Sequence, residues 1–378
     1  MKGKNIMRVS ITIKYNVKNT NNKELNKDIK FEYHKRVYKE DNQKKEEIYS
    51  DDIKFERNRI LIECNRSKAI DLNNCWKTKR SNFKRCIVSS LFYVYNFYRQ
   101  PIEIESIIIS DHSKNEIDIP FVQEFGAPLP DSFVIDENIE YLFKMISHKE
   151  VSDIVYRILH SQVLFTKNKD FYNAYRSFNS MYTFVYTFHN KSAGKGDNDK
   201  DLEAIISLLT LDNIEQVLTN SISLSEQFYI NNKEELNKLL LVWLINKRVQ
   251  FKEDVADTFR YNRFKYKNKN VLEVIKRIIE KNYPKSDENR NDKPLKGFET
   301  NYKNSDSSSY EINYLQLLIL YAQYRRNKLL HGEHVDPTFL ISDINADILS
   351  CISDIVFQVS IDLINNMDPN DFSEVKIF

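Results

Sequence analysis

The chain of 378 residues is long enough for about two or three domains, and its 41% of hydrophobic residues suffices for a sizeable core. The 56 Lys and Arg residues nearly balance the 54 Asp and Glu residues, which excludes a histone-like polycation but allows a local basic patch. With only 6 glycines and 8 prolines, propellers and glycine-rich nucleotide folds are disfavoured, and long helices are favoured.

The four cysteines are too few for a disulfide framework at this length, and no pair has the CxxC spacing typical of structural zinc. We therefore expect neither a metal nor another cofactor. No apolar run reaches the roughly 20 residues that a membrane-spanning helix needs. The first residues also lack the apolar core of a secretory signal. These observations predict a cytoplasmic protein that does not associate with membranes.

Residues 1–130 begin with strand patterns. Period-two alternation or short apolar runs predict four strands, Met7–Tyr15, Ile29–Tyr33, Asp52–Glu56 and Ile60–Cys64. The polar run 39–47 between them predicts a loop or a solvated hairpin tip.

A helix and a further strand follow. The length and few breakers of Ser81–Arg99 favour a helix, although Phe92–Tyr98 is aromatic enough for a strand. Ile102–Ser110 is β-branched and predicts a strand. Gly126, Pro128 and Pro130 then mark a boundary, so residues 1–130 are predicted to form a mixed, β-rich α+β domain.

From about residue 135 the hydrophobic period changes to 3.6, which predicts an all-α domain over residues 131–378. The helical segments are 139–146, 151–163, Phe171–Phe188, Leu202–Leu211, Asn213–Gln227, Lys233–Val249, Val271–Lys281, Ile312–His331 and Thr338–Asn366. The polar segment 283–309 is too long for an ordinary connection and predicts a mobile insertion. The predicted fold class is therefore α+β.

The densest group of chemically active side chains lies in Tyr324–His334, which contains three cations and two histidines at the end of a predicted helix. Asn327 and His331 are four residues apart and share a helix face, and the long Arg326 side chain reaches back towards them. Cations near a helix C-terminus also complement the helix dipole. That alternative explains Lys328 and Arg325 but not why Arg, Asn and His occur together.

The segment Arg326–His331, Arg-Asn-Lys-Leu-Leu-His, resembles the signature of the HEPN superfamily, an arginine followed after four to six residues by histidine. Its longer form RNKLLHGE is similar to a variant common in bacterial HEPN proteins. Phe171–Tyr182 is similar to the helix that often accompanies this variant. The resemblance covers roughly residues 150–365, excludes residues 1–130 and implies a HEPN-like helical bundle.

The resemblance also implies metal-independent endoribonuclease chemistry, in which the RNA 2′-hydroxyl attacks the adjacent phosphate. Histidine transfers protons near neutral pH, and arginine donates two parallel hydrogen bonds to a phosphate. We therefore expect His331 to act as general acid and base, Arg326 to hold the phosphate and Asn327 to position the substrate. HEPN nucleases pair two such motifs across a dimer, so the single motif here predicts a homodimer with a composite site.

Four further residues are candidates for substrate binding: Arg325, Lys328, Arg176 and Asn179. Arg176 and Asn179 are three residues apart on one helix face, and the alternative is a surface arginine beside a helix-packing asparagine. Similar HEPN proteins act as toxins or in anti-phage defence, which implies tRNA or mRNA as substrate and a regulatory or antitoxin partner. Residue Glu333 stands where many antitoxin-silenced HEPN toxins have tyrosine, so adenylylation of a tyrosine is not expected there.

Two other function classes stay open. A non-catalytic HEPN-like module would bind RNA or nucleotide, or recruit a partner. A structural helical protein would use Arg326 and His331 only to stabilise a helix end. Two weaker signals remain: His160 on an apolar helix is predicted to be a core residue, and the basic stretch Trp76–Arg85 is either a solvated helix face or a nucleic-acid contact.

Overall fold

The computed structural model divides the chain into two compact units. The first contains Met1–His189 and Leu363–Phe378, and the second contains Asn190–Asp362. The structure describes residues 7–20, 23–40, 43–66, 70–78, 81–113, 115–189, 204–205, 208–209, 211, 213–232, 314–330 and 344–368.

Several sequence predictions fall outside the described residues. They are the helices Lys233–Val249 and Val271–Lys281 and the polar insertion 283–309. Among the described helices, none combines the length and apolar character that crossing a bilayer requires.

The first unit is built on an antiparallel sheet. Its strands are β1 (Met7–Val17), β2 (Lys27–Glu40), β3 (Gln43–Glu56), β4 (Arg59–Arg66), β5 (Ile102–Asp111), β6 (Glu116–Asp118) and β7 (Glu124–Phe125). The strand order is β2-β3-β4-β1-β5-β6, and β7 also pairs with β5. The strands predicted by alternation are confirmed, and so is the α+β class.

Strand β1 shows why the alternation predicted it correctly. Ile11 and Ile13 are fully buried, whereas Ser10 and Lys14 are exposed on the other face. The polar run 39–47 was predicted to be a loop or the tip of a hairpin. The structure favours the hairpin, because β2 and β3 stay paired up to Glu40 opposite Gln43. Backbone hydrogen bonds form this ribbon without needing apolar side chains.

Helix α1 (Asn82–Tyr98) covers one face of the sheet, and the strand alternative for Phe92–Tyr98 is wrong. The aromatic residues are explained by packing on two sides. Tyr93 lies 4.8 Å from Phe55 of the sheet, measured between ring centroids. Phe92 lies 5.3 Å from Tyr156 of the helix that follows the sheet. A helix between two apolar neighbours needs bulky side chains on more than one face.

Two 3-10 helices, Asp131–Phe133 and Glu137–Phe143, lead to α2 (Lys149–Asn168) and α3 (Phe171–His189). Helices α2 and α3 contact each other and are joined by two residues, so they form an antiparallel hairpin.

The segment after residue 130 packs on the sheet and on α1. The Phe143 ring lies 6.1 Å from that of Phe55, and the Asn96 side chain bonds both backbone groups of Ile135, at 2.7 and 3.0 Å. The predicted domain boundary near residue 130 therefore falls inside the first compact unit.

The second unit contains helices α4 (Ile214–Val217), α5 (Thr219–Asn231), α6 (Tyr314–Leu330) and most of α7 (Ile344–Asn365). The Tyr229 and Tyr314 rings of α5 and α6 stack at 4.1 Å with an interplanar angle of 17°. The helix predicted at Asn213–Gln227 is confirmed but is divided at Leu218. The helices predicted at Ile312–His331 and Thr338–Asn366 are confirmed over their described residues.

Candidate functional site

The Arg-Asn-x-x-x-His segment begins on α6, whose buried face follows the expected helical spacing. The buried side chains of this face are Leu315, Leu318, Ile319, Ala322 and Arg325. Arg325 continues the stripe three residues after Ala322 and is only 9% exposed. Its Nε is buried and has no hydrogen-bond partner among the described residues.

Arg326 is half-buried and lies one residue beyond that stripe. The backbone of Asn327 and Lys328 continues α6 to its last described residue, Leu330. His331 follows directly and lies outside the described residues. The helix therefore extends through Arg326 and Asn327 and reaches the residue before the histidine.

The other two predicted binding residues lie on α3 of the first unit. Arg176 is exposed and Asn179 is half-buried. Arg176 is close enough to His160 of α2 for its charge to act on the imidazole. Burial, and after it the charge of Arg176, lowers the pKa of His160.

His160 lies at the edge of the core rather than within it. Its ring is half-buried, and the ring centroid is 6.4 Å from that of Phe92 on α1. The apolar neighbours of His160 in the sequence predicted a core residue, but its position on α2 turns the ring towards the boundary with solvent.

Arg85 joins α1 to α2, a contact that the sequence alone does not reveal. Its Nη2 donates to the Ser152 carbonyl oxygen at 2.9 Å and lies 3.5 Å from Asp153 Oδ1. Its guanidinium carbon lies 3.6 Å from the centroid of the Tyr156 ring. Only the fold shows this group, because the first contact joins residues 67 positions apart.

The charge of Arg85 is incompletely compensated. Burial lowers the pKa of its guanidinium, Asp153 and Tyr156 act in the opposite direction, and Arg157 adds a repulsive charge. Its Nε is buried without a hydrogen-bond partner among the described residues. Arg85, Arg157, His160 and Arg176 therefore form a run of neighbouring basic groups on the first unit.

A second buried ion pair serves the sheet. Asp51 of β3 is fully buried and accepts hydrogen bonds from both Nη atoms of Arg66. The guanidinium carbon of Arg66 lies 4.2 Å from the Tyr33 ring centroid and 4.6 Å from that of Phe83. These contacts occupy the arginine fully and give the group a structural role.

The described residues contain no group of three His, Cys, Asp or Glu side chains placed to hold a metal ion. Burial raises the pKa of the Cys64 and Cys86 thiols well above the usual value. Both thiols are therefore protonated near neutral pH, which makes them poor nucleophiles and poor metal ligands.

Comparison of the chain with protein-family models, with curated proteins and with solved structures finds no match. The HEPN resemblance therefore rests on the residues of Arg326–His331 and Phe171–Tyr182. The structure places Phe171–Tyr182 on α3, and it places the first segment on α6 as far as Leu330.

Proposed function

We propose that the protein is a metal-independent endoribonuclease of the HEPN type, in which the α-helices after residue 131 form a HEPN-like bundle. One observation carries the proposal: Arg326 and Asn327 lie in the C-terminal part of α6, immediately before His331. This arrangement gives an arginine, an amide and a histidine within about one and a half helical turns.

The reaction needs no cofactor, because RNA supplies its own nucleophile. In the proposed mechanism His331 removes the proton of the 2′-hydroxyl, and the 2′ oxygen then bonds to phosphorus. The bond from phosphorus to the 5′ oxygen breaks, and a second histidine protonates that oxygen. Arg326 holds the phosphate oxygens, whose charge increases in the transition state, and Asn327 orients them. The products are a 2′,3′-cyclic phosphate and a 5′-hydroxyl.

A homodimer would supply the second histidine, so a composite site between two copies belongs to the proposal. Arg325 and Lys328 would add positive charge near the substrate. We propose a cytoplasmic toxin or anti-phage defence effector that cleaves tRNA or mRNA and is controlled by a regulatory or antitoxin partner. The sheet-containing N-terminal region would sense the trigger or select the substrate.

Cleavage of total cellular RNA in excess EDTA tests the proposal. We expect wild type to leave cyclic-phosphate ends. His331→Ala and Arg326→Ala should each lower the rate about 100-fold or more, the first because it removes a general acid and base and the second because it removes charge stabilisation of the phosphate. The matched controls are His112→Ala and Arg8→Ala, which change exposed residues of the sheet region. Circular dichroism and gel filtration would establish that all variants keep their fold and oligomeric state.

Equal cleavage by wild type and by both motif variants would refute the site assignment. Wild type that stays inactive on purified RNA and is no more toxic in cells than His331→Ala would refute the enzyme. A non-catalytic RNA-binding module is the second candidate, and the run of basic groups around Arg85 and Arg176 favours it. That module predicts RNA binding that is unaffected by His331→Ala, without cleavage in any condition.

A further inference from the structure

A surface rich in basic residues lies on the α2–α3 hairpin, and we call it the hairpin face. Its residues are Lys149, Arg157, His160 and Lys167 of α2 and Tyr172, Arg176 and Asn179 of α3. At 100° per residue, the four α2 residues fall within one stripe about 80° wide and about 27 Å long. The three α3 residues lie on one stripe of that helix by the same count.

The hairpin face is available to a ligand. Arg157, Lys167 and Arg176 are exposed. Within the described part of the chain, none of these three cations forms a salt bridge. Asp153, the one carboxylate on the α2 stripe, already pairs with Lys149 at 2.9 Å and with Arg85 at 3.5 Å.

Negative charge is scarce around the hairpin face. Helices α1 and α3 contain no Asp or Glu, and α2 contains only Glu150 and Asp153. The carboxylate of Asp170 caps α3, where it accepts from the Tyr172 backbone N–H and the Asn173 side chain, both at 2.9 Å. Because the whole chain has a net charge of only +2, this excess of cations is local.

An exposed aromatic ring identifies the class of anion. Tyr172 is 54% exposed and lies one helical turn before Arg176. Proteins that bind single-stranded nucleic acid combine aromatic rings, on which bases stack, with cations that contact phosphates. Tyr172 and Arg176 provide one of each. A membrane surface fits less well, because the one aliphatic residue of the α2 stripe, Leu164, is half-buried and offers little to insert.

We propose that the hairpin face is a docking site for single-stranded RNA. Phosphates contact Arg157, Lys167 and Arg176, and one base stacks on Tyr172. Asn179 lies one turn after Arg176 and supplies a hydrogen bond to the sugar or base. The choice of RNA rests on the proposed function. The site itself belongs to the first unit, whereas the Arg326 motif belongs to the second.

We would measure the binding of fluorescein-labelled oligouridine by fluorescence anisotropy in EDTA. Every protein in this experiment also carries His331→Ala, so that binding is tested separately from cleavage. Arg157→Gln with Arg176→Gln should raise Kd about tenfold and lower the slope of log Kd against log salt by about 1.4. The control, Arg8→Gln with Lys14→Gln, removes the same charge from exposed positions of β1 and should leave Kd unchanged.

A separate variant tests the stacking of a base on Tyr172. Tyr172→Ala should raise Kd for oligouridine about fivefold or more and leave binding of heparin unchanged, because heparin has no bases. Phe121→Ala is the control, since it removes a ring that is 39% exposed elsewhere in the first unit. Thermal unfolding would establish that these surface variants remain folded.

Each other result overturns the docking site or the nuclease. Absent RNA binding, or equal losses in the Arg157/Arg176 pair and in its control, would exclude the docking site. An unaffected Tyr172→Ala variant would leave a general polyanion surface, and tighter binding to phosphatidylserine vesicles than to RNA would assign the face to membranes. RNA binding at this face by a wild type that neither cleaves RNA nor is more toxic in cells than His331→Ala would refute the nuclease alone. Cleavage with Kd unchanged by the paired variant would refute the docking site alone.

Discussion

Glu32 shows how a single side chain joins the sheet to the turn that precedes α2. Its Oε2 accepts from the Ser147 backbone N–H at 2.9 Å and from the Ser147 hydroxyl at 2.8 Å. The Lys144 ammonium lies 3.6 Å from Oε1. Burial opposes ionisation, but the hydrogen bonds and Lys144 outweigh it, so the pKa of Glu32 lies below its usual value.

The free energy of unfolding should therefore depend on pH through Glu32. Because its pKa is lower in the folded than in the unfolded protein, the ionised carboxylate stabilises the fold above the unfolded pKa. That contribution is lost as the pH falls through the folded pKa. Glu32→Gln should cost about 1 kcal/mol at neutral pH, since glutamine keeps one acceptor, and much less in acid. Urea unfolding across this pH range measures the difference.

Glu63→Gln is the matched control, because Glu63 of β4 is an exposed glutamate of the same sheet. Parallel stability curves for wild type and Glu32→Gln at all pH values would mean that Glu32 is not linked to folding through its charge.

Elements with one buried face were easier to predict from the sequence than elements that are buried on more than one face. Strands with one buried face gave a clean alternation, as β1 does, and were predicted correctly. Helix α1 stayed ambiguous because it is packed on two sides. The 3-10 helix Glu137–Phe143 was predicted as an ordinary helical face, because periodicity does not distinguish three from 3.6 residues per turn over so short a segment.

The same limit applies to the candidate sites. The sequence predicted a role for Arg326 because its proposed partners are adjacent in the chain, and it predicted a role for Arg176 from its place on the helix of the resemblance. It did not identify the stack of Arg85 on Tyr156, because that contact requires α1 and α2 to be packed together. The absence of acidic residues from α1 and α3 was the feature of the sequence that indicated a local excess of basic groups.

Helix α5 depends on a cap from another helix. Its preceding residue, Leu218, has no side-chain group that can accept a hydrogen bond, so the first backbone N–H groups lack a local partner. The buried carboxylate of Asp362 on α7 accepts from the Ser221 N–H at 2.8 Å and from the Ser221 hydroxyl at 2.6 Å. It also accepts from the amides of Asn220 and Gln358.

We expect Asp362→Ala to lower the free energy of unfolding by about 3 kcal/mol, because it leaves several buried donors unpaired. Asp362→Asn should cost less, since its carbonyl oxygen still accepts. Glu215→Ala, at an exposed position of α4, is the control and should cost less than about 0.5 kcal/mol. Denaturant unfolding measures all three. An alanine variant as stable as the control would show that Asp362 does not cap α5.

At the scale of the whole molecule, the proposed nuclease needs two copies of the chain. One histidine would have to remove the 2′ proton and also be ready to protonate the 5′ oxygen on the opposite side of the phosphate. Two copies of His331 divide these roles. The proposed docking of RNA on the hairpin face would give each copy its own means of holding RNA, so that catalysis and affinity would depend on separate residues.

A composite site predicts that inactive subunits suppress active ones. After subunit exchange, wild type mixed with excess His331→Ala should lose most of its total activity, because nearly every wild-type subunit then has a partner that lacks the second histidine. Excess His112→Ala, which keeps both histidines of the site, should instead add to the activity. Cleavage rates with the wild-type concentration held constant measure the effect.

If each subunit carried a complete site, the His331→Ala partner would be inert and the rate would equal that of wild type alone. Dilution gives an independent test. Below the dissociation constant of a dimer, activity per subunit falls with concentration, whereas a complete monomeric site keeps the same activity at every dilution. Suppression together with loss on dilution would place the reaction between two copies. If the enzyme is active and shows neither suppression nor loss on dilution, one chain provides both proton-transfer groups. Protonation of the 5′ oxygen would then belong to a residue other than His331.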